Sequence, residues 1–309
     1  MATGMSFALP NYSGALYTKS NTSTPFLNLI GATRYTDSVE FVTNQEYVLG
    51  SPSQPAISES DSLTAPAATN VGRTQATNVT QIFHRTIAVS YAKESNMGTL
   101  SGANVAGQTA NPASELQFQV AAAMAQNRND IEYTFINGKY NKAKSDTEAN
   151  KTRGILEAIV TNAVTESNAA SSSTIRSVLK AFFKTLYDAN TDIDNYVLLV
   201  NSTIKAAISE AYEGTGYIDQ GTTEGGVNVT RLMTDFGNIN IALARTMPQK
   251  TALLFNPTVV HAVEQITPGK GNFFLEELSK TGAATQYQLF GQIGLDHGFE
   301  KLHGKLTFA

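Results

Sequence analysis

The chain has 309 residues, of which 41% are hydrophobic, and a formal net charge of −4. This apolar content excludes wholesale disorder, and the length predicts one large lobe or two smaller ones. The negative net charge argues against a dedicated binder of nucleic acid or anionic membrane. The absence of cysteine excludes disulfides and thiol chemistry, and it fits a protein made in a reducing cytoplasm.

The first 36 residues predict an extended arm. They contain scattered turn residues and few periodic apolar positions, and they lack the charged start and apolar core of a signal peptide. No apolar run in the chain approaches the roughly 18 residues of a membrane span. Isolated side chains such as Phe26, Leu27, Leu29 and Ile30 are candidates to anchor the arm on another surface.

Two strand-like runs follow, SVEFVTNQEYVL at 38–49 and VTQIFHRTIAVSY at 79–91. Apolar side chains alternate along both, which is the spacing of a strand with one buried face. Between them, segment 51–80 is rich in Ser, Thr, Ala and Pro and has almost no large apolar side chain. We interpret the whole as a two-stranded ribbon with a flexible tip. Because one hairpin is marginal in water, the ribbon must fold back or lie on another surface.

Residues 111–138 give the strongest helix pattern. Asn111 is a candidate cap, Pro112 suits the first turn, and Gly138 predicts the end. One apolar stripe runs along the helix and consists of Leu116, Val120, Ala123, Met124, Ile131 and Phe135. Such a helix would be about 42 Å long, so we expect it to span its domain.

The chain then alternates helices and strands, which predicts an α/β lobe. Helices are expected at 153–166, at 175–187 and from Asn201 or Ser202 to Gly214, with a Gly-rich loop at 214–226. Strands are expected in the segments YVLLV, VNVTRLM, INIALART and TALLFN, followed by a short helix from Pro257. At the end of the chain, alternation from Tyr287 to Leu295 and again from Leu302 to Phe308 predicts an antiparallel hairpin.

A search for an active site yields no catalytic, cofactor-binding or metal-binding residue. The four histidines are His84, His261, His297 and His303, and none has metal-ligand spacing. His84 lies opposite the apolar parity of its strand, so we expect it to face solvent. The segment TPGKG at 267–271 fails the phosphate-loop pattern, TDIDN at 191–195 reads as a polar turn, and GTGYIDQG at 214–221 as a mobile loop.

The order of these elements resembles that of major capsid proteins of tailed double-stranded-DNA bacteriophages with the Hong Kong 97-type fold. STPFLNLIG resembles the end of the family's N-arm, RTIAVSYAKES the descending strand of its extended loop, and TRGILEAI the entry to its axial domain. NPASELQFQVAAAMAQNRNDIEYTFING resembles the spine helix. ELSKTGAATQYQLFGQIGLDHGFEKLHGKL resembles the return into the peripheral domain.

The resemblance implies an α+β capsid fold divided into an N-terminal arm, an extended two-stranded loop, a peripheral domain and an α/β axial domain. The arm would be 1–36 and the extended loop 37–96. The peripheral domain would combine 97–151 with 280–309 and contain the spine helix, and the axial domain would be 152–279. The Gly-rich stretch 214–226 is the candidate axial loop.

The implied function is that of a major capsid protein that forms hexamers and pentamers of an icosahedral shell around phage DNA. It would assemble in the bacterial cytoplasm, reside in the virion, need no cofactor, and meet separate scaffolding, portal and decoration proteins. Some family members cross-link their shells through a loop lysine, but no lysine lies between Lys19 and Lys93 here, so we expect a non-covalent shell. The alternatives are an encapsulin-type cargo compartment and a small α/β enzyme with a site in 152–280.

Overall fold

A computed structural model of the chain describes most of its residues. They are residues 23–47, 49, 52–65, 67, 70–95, 115–189, 191–212, 218–224, 227–280 and 282–309. The predicted cap Asn111 and most of the predicted arm lie outside these ranges. None of the described helices is long and apolar enough to cross a membrane.

The described elements, numbered in chain order, form two sheets, a separate ribbon and flanking helices. The helices are α1 Pro25–Leu29, α2 Glu59–Ser62, α3 Tyr91–Ser95, α4 Glu115–Asn137, α5 Ile155–Ala158, α6 Ile175–Asp188 and α7 Ser202–Tyr212, with a 3₁₀ turn at Glu300–Leu302. The strands are β1 Gly31–Thr36, β2 Glu40–Tyr47, β3 Arg73–Val79, β4 Gln81–Ser90, β5 Ala163–Glu166, β6 Tyr196–Val200, β7 Ile218–Glu224, β8 Val227–Thr234, β9 Gly237–Leu243, β10 Thr251–Phe255, β11 His261–Gln265, β12 Phe273–Glu277, β13 Ala284–Asp296 and β14 Gly304–Phe308.

A seven-stranded mixed sheet in the order β5-β14-β10-β6-β9-β8-β7 forms the middle of the larger core. All residues of β6 and β10 are buried, as their continuous apolar runs predict. Leu198 and Val200 face the layer of α6 and α7, whereas Val197 and Leu199 face a second apolar layer that includes Phe135 of α4. The two-residue alternation of a strand thus supplies both layers.

Helix α6 is a half-buried helix whose pattern was read correctly. Its buried positions recur every three or four residues, as in an amphipathic helix, and are Ile175, Leu179, Phe182, Phe183 and Leu186. Tyr187, where the predicted helix ends, is exposed and packs against Phe236 with ring centroids 5.4 Å apart. The next helix, α7, is capped as predicted, because the Asn201 carboxamide oxygen accepts from the Ile204 amide at 3.2 Å.

The second sheet contains β1, β11, β13 and β12 in order, and β4 pairs with β13 along ten residues. Helix α4 packs on this sheet through β4. It ends at Asn137, directly before the predicted stop Gly138, and its 23 described residues extend about 35 Å. Burial is concentrated near its end, at Phe135 and Ile136, while Met124 in the predicted stripe is about half exposed.

The structure corrects the predicted ribbon. Its second strand is β3, which pairs with β2 and lies inside the segment interpreted as a flexible tip. Strand β4, interpreted as the second ribbon strand, belongs to the five-stranded sheet instead. The alternating pattern of 79–91 was therefore real, but it reflects burial against the body: Phe83, Ile87 and Val89 are buried and His84 is exposed, as its parity predicted.

Three local predictions in the second half of the chain were wrong. Only 155–158 of the predicted helix 153–166 is helical, because 163–166 pairs in parallel with β14. The helix expected from Pro257 is a turn, in which the Asn256 side chain accepts from the Thr258 amide at 3.0 Å before β11 begins. Of the predicted loop 214–226, residues 218–224 form β7, which pairs with β8.

The predicted C-terminal hairpin was also wrong. Strand β13 ends in the five-stranded sheet, and the chain then crosses to the seven-stranded sheet, where β14 pairs with β10 and β5. Sheet membership consequently does not follow the predicted domain ranges: β11 and β12 hydrogen-bond with the five-stranded sheet, and β14 with the seven-stranded one.

Candidate assembly surfaces

In the ribbon formed by β2 and β3, the two strands pair with each other and the outer edge of each strand has no strand partner in the described ranges. Its register runs from Glu40 opposite Val79 to Tyr47 opposite Arg73, and no third strand joins it among the described residues. At about 3.3 Å per residue the paired strands cover roughly 25 Å. A two-stranded ribbon of this kind is marginal in water unless another surface covers it.

Large apolar side chains are exposed along the ribbon and the tip beyond it. Every described residue from 52 to 75 is exposed, so the rest of the described chain does not cover the tip. The exposed apolar residues of this region are Val42, Tyr47, Leu49, Ile57, Leu63 and Val71, with exposures from 45% for Val42 to 86% for Leu63. Clustered exposure of this kind marks an interaction surface.

The base of the ribbon, in contrast, is fixed to the body by Asn78. Its amide nitrogen donates to the carbonyls of Leu295 and Arg153 at 2.8 and 3.2 Å. Its carboxamide oxygen accepts from the amides of Arg153 and Val79 at 2.8 and 2.9 Å. Because the residue is fully buried and uses its whole hydrogen-bonding capacity, it holds the ribbon base in one arrangement.

The end of the predicted arm is fixed to α4 by Glu132. This carboxylate accepts from the amides of Phe26 and Leu27 at 3.0 and 2.9 Å, two of the unpaired donors that begin α1. Arg128 donates to the Thr24 hydroxyl at 2.7 Å. Burial raises the pKa of Glu132 to about 7, although the two amide bonds act in the opposite direction. Phe26 was expected to anchor the arm on another surface, but it is fully buried against Phe255 in the core of its own chain.

A buried polar segment joins the two sheets. Burial lowers the pKa of both His297 and His303 to about 4, so both rings are neutral near pH 7. The Asn256 amide donates to Nδ1 of His303 at 3.3 Å, which places the ring proton on Nε2, 2.7 Å from the His297 carbonyl. The side chain of Asn162, the residue directly before β5, donates to the carbonyls of Lys301 and His303. It therefore holds the segment that crosses from β13 to β14.

The other residues considered for chemistry have structural partners. Lys270 of the segment 267–271 donates to Glu276 at 2.6 Å, and Asp194 of the segment 191–195 accepts from the Asn238 amide at 3.0 Å in the turn before β6. Nδ1 of His261 lies 2.9 Å from the Ala32 carbonyl. In the described ranges no three His, Asp or Glu side chains converge on a metal-sized site.

Sequence reasoning missed Asn78 and Glu132. Glu132 had a detectable signal, since it is an acidic residue between the apolar positions Ile131 and Phe135 of the predicted stripe. Asn78 had none, because its role depends on backbone groups more than 70 residues away in the sequence.

Several solved structures share this fold. The chain is similar to the SrpI encapsulin from Synechococcus elongatus PCC 7942, with a TM-score of 0.62 and 12% identity over 95% of this chain and 91% of that chain. It is similar to the capsid of Cyanophage P-SCSP1u, with a TM-score of 0.60 and 11% identity over 98% and 93%. A structure from Mycobacterium phage Che8 has a TM-score of 0.58 and 13% identity over 98% and 97%. No curated protein matches the chain by sequence.

These similarities define the class: the protein has a Hong Kong 97-type capsid fold, which both phage shells and encapsulins use. The family model of the SU10 major capsid protein matches residues 1–309, and the chain therefore belongs to that family. It is a structural protein of a bacteriophage capsid and not an enzyme. The capsid expectation is confirmed, and the encapsulin and enzyme alternatives are not supported, because the encapsulin likeness is one of fold alone.

Proposed function

We propose that copies of this chain associate into hexamers and pentamers of an icosahedral shell that encloses phage double-stranded DNA. The exposed apolar side chains of the ribbon and tip carry this proposal, because nothing in the described part of the chain covers them. Ordering such a segment costs conformational entropy that contacts with neighbouring copies must offset. Many weak contacts repeated by symmetry then stabilise a shell that no single pair would hold.

Electron microscopy of the purified protein tests the proposal. We expect rings and closed shells at micromolar concentrations, and monomers after dilution. A protein that stays monomeric at every concentration, with the tip resistant to proteases, would refute it. Nucleic acid inside particles isolated from infected cells would distinguish a phage head from a compartment that holds enzymes.

The domain division is part of the same proposal. The layer of α6, α7 and strands β5 to β10 supports an axial unit based on 152–279, with the β7–β8 hairpin as its axial loop, although β14 from the C-terminal range completes that sheet. Helix α4 and strand β13 support a peripheral unit based on 97–151 and 280–309, and its sheet also includes β11 and β12 from the axial range. Residues 1–36 would be the arm and 37–96 the extended loop, which lies across a neighbouring subunit. Deleting 219–225 should then impair ring closure before it impairs subunit folding.

The shell is proposed to be non-covalent, since no lysine lies between Lys19 and Lys93 to act as a loop nucleophile. Boiled particles should migrate as monomers on a denaturing gel, and a ladder of multiples would contradict this. Separate scaffolding, portal and decoration proteins, weak contact with packaged DNA and assembly in the bacterial cytoplasm complete the proposal.

A further inference from the structure

The ribbon and tip carry an acidic charge that the chain itself does not neutralise. Residues 35–72 contain five carboxylates and no lysine, arginine or histidine. Two of these carboxylates pair within the chain, Glu40 with Lys142 at 2.6 Å and Glu46 with Lys301 at 3.5 Å. Glu59 and Asp61 in the tip form no ion pair within the described ranges. Of the three carboxylates without an ion pair in the described ranges, Asp37 lies at the base and the other two, Glu59 and Asp61, lie at the far end of the ribbon.

The opposite charge is concentrated at the base of the ribbon. Residues 139–153 contain five basic side chains and two acidic ones, although the whole chain is acidic. Lys142 holds the ribbon base through Glu40. Lys144 and Lys151 are exposed, and neither is ion-paired in the part of the chain that the structure describes.

These lysines border a cleft of about 530 Å³. One wall is formed by Thr80, Gln81 and Ile82 at the bend between β3 and β4, and the other by the loop 143–151. Ile82 is 59% exposed at this cleft. We refer to residues 80–82, 143–151 and Gln292 as the base cleft. Its volume lies within the range of about 300–1,000 Å³ that is usual for ligand pockets, which is enough for a few side chains of a peptide segment.

We propose that the tip of one copy, residues 52–65, docks in the base cleft of a second copy. Glu59 and Asp61 then face Lys144 and Lys151, and the exposed side chain of Leu63 packs against Ile82. This proposal rests on the proposed self-assembly and names the contact that it uses. A single chain cannot form this contact between its own tip and its own base cleft, because the ribbon separates the two by roughly 25 Å. Every described tip residue is accordingly exposed.

The contact joins two different surfaces of identical chains, so it is heterologous, and the proposed hexamers and pentamers require that its repeated rotation closes into a ring. A polyanion such as DNA is the weaker candidate for the cleft. Asp146 and Glu148 also line the cleft and would repel a continuous phosphate backbone. A peptide with two separate carboxylates needs only the two lysines.

Exchanging the charges of the tip and the base cleft tests whether ion pairs contribute to the docking contact. Lys144→Glu with Lys151→Glu, and separately Glu59→Lys with Asp61→Lys, should each raise the protein concentration needed for half-maximal assembly about tenfold or more, since every ring repeats the weakened contact. Combining all four substitutions should restore assembly to within about threefold of wild type, because opposite charges face each other again. Arg245→Glu with Lys250→Glu changes the charge equally at two exposed positions outside 139–153, and this control should assemble like wild type.

Disulfide trapping tests the geometry independently of shell formation, because the chain has no native cysteine. Leu63→Cys and Ile82→Cys are made as separate proteins, one with a size tag, and mixed with oxidised glutathione. We expect a tagged heterodimer on a non-reducing gel, since a disulfide requires the two Cα atoms to lie within about 7 Å. Val160→Cys, which is also exposed, replaces Ile82→Cys in the control mixture and should give at most a trace of heterodimer.

The outcomes separate the two proposals. Wild-type shells without the heterodimer, or charge variants that assemble normally, overturn the docking contact and leave self-assembly standing. A heterodimer without shells supports the contact and refutes the shell. Lysine variants that assemble normally but lose bound nucleic acid, together with unaffected tip variants, overturn docking in favour of a polyanion site.

Discussion

Replacing Asn78 with alanine should loosen the ribbon base. The substitution removes four hydrogen bonds at a fully buried position and leaves the Arg153 amide and the Leu295 carbonyl without these partners. A buried polar group left unpaired costs about 1–3 kcal/mol. We therefore expect a loss of about 2–4 kcal/mol, a large fraction of the roughly 5–15 kcal/mol that stabilises a typical domain.

Urea unfolding of the unassembled protein measures the total loss, and hydrogen exchange locates it. Protection should fall first in β3 and at the Arg153 amide, because the lost bonds lie at that junction. Asn70→Ala in the exposed tip is the matched control and should stay within about 0.5 kcal/mol of wild type. Equal stability and equal exchange in the two variants would refute this account of the ribbon base.

Three other buried groups should alter stability in defined directions. Burial raises the pKa of Glu132 from 4.5 to about 7, so stability should fall by about 3 kcal/mol as the pH rises across that window. Glu132→Gln should remove this dependence in urea unfolding, and an unchanged pH slope would contradict the assignment. Burial lowers the pKa of His303 from 6.5 to about 4, so stability should fall by up to about 3 kcal/mol as the pH falls from 6.5 to 4. His303→Gln should lose less between pH 7 and pH 4.5, and an equal loss would show that another group titrates. Gly154→Ala would place a methyl group 2.5 Å from the Gly138 amide nitrogen and should cost about 1–3 kcal/mol in thermal unfolding. Gly72→Ala, which meets no atom within 4 Å, should be neutral, and similar melting of both variants would argue against the close backbone approach.

The sequence predicted a helix or strand well where its buried residues are also its apolar residues. Helix α6 and strands β6 and β10 have apolar positions that match their environment, because each packs directly on a core layer. Strand β3 escaped detection for the opposite reason. Its first three residues are exposed and burial begins only near Asn78, so neither face of the strand required apolar side chains.

The remaining errors concern long-range pairing. The segment 153–166, predicted to be one helix, has apolar residues compatible with a helix, but β14 supplies a strand partner for 163–166 about 140 residues later, and this pairing decides the outcome. The C-terminal runs likewise have hairpin-like alternation, although each finds its partner in a different sheet. The sequence predicted in outline that a two-stranded ribbon would need another surface to cover it. The roles of Asn78 and the base cleft could be recognised only from the folded structure, because they combine residues that are distant in the sequence.

The insertion of β14 between β5 and β10 sets the order in which the subunit can mature during synthesis. Residues 163–166 leave the ribosome about 140 residues before 305–308, with which they pair. At about 5–20 residues per second this interval lasts roughly 7–30 s, during which β5 lacks the strand that joins it to β10. A growing chain therefore cannot complete its seven-stranded sheet early, and recruitment of half-made subunits into a particle is disfavoured by the topology itself.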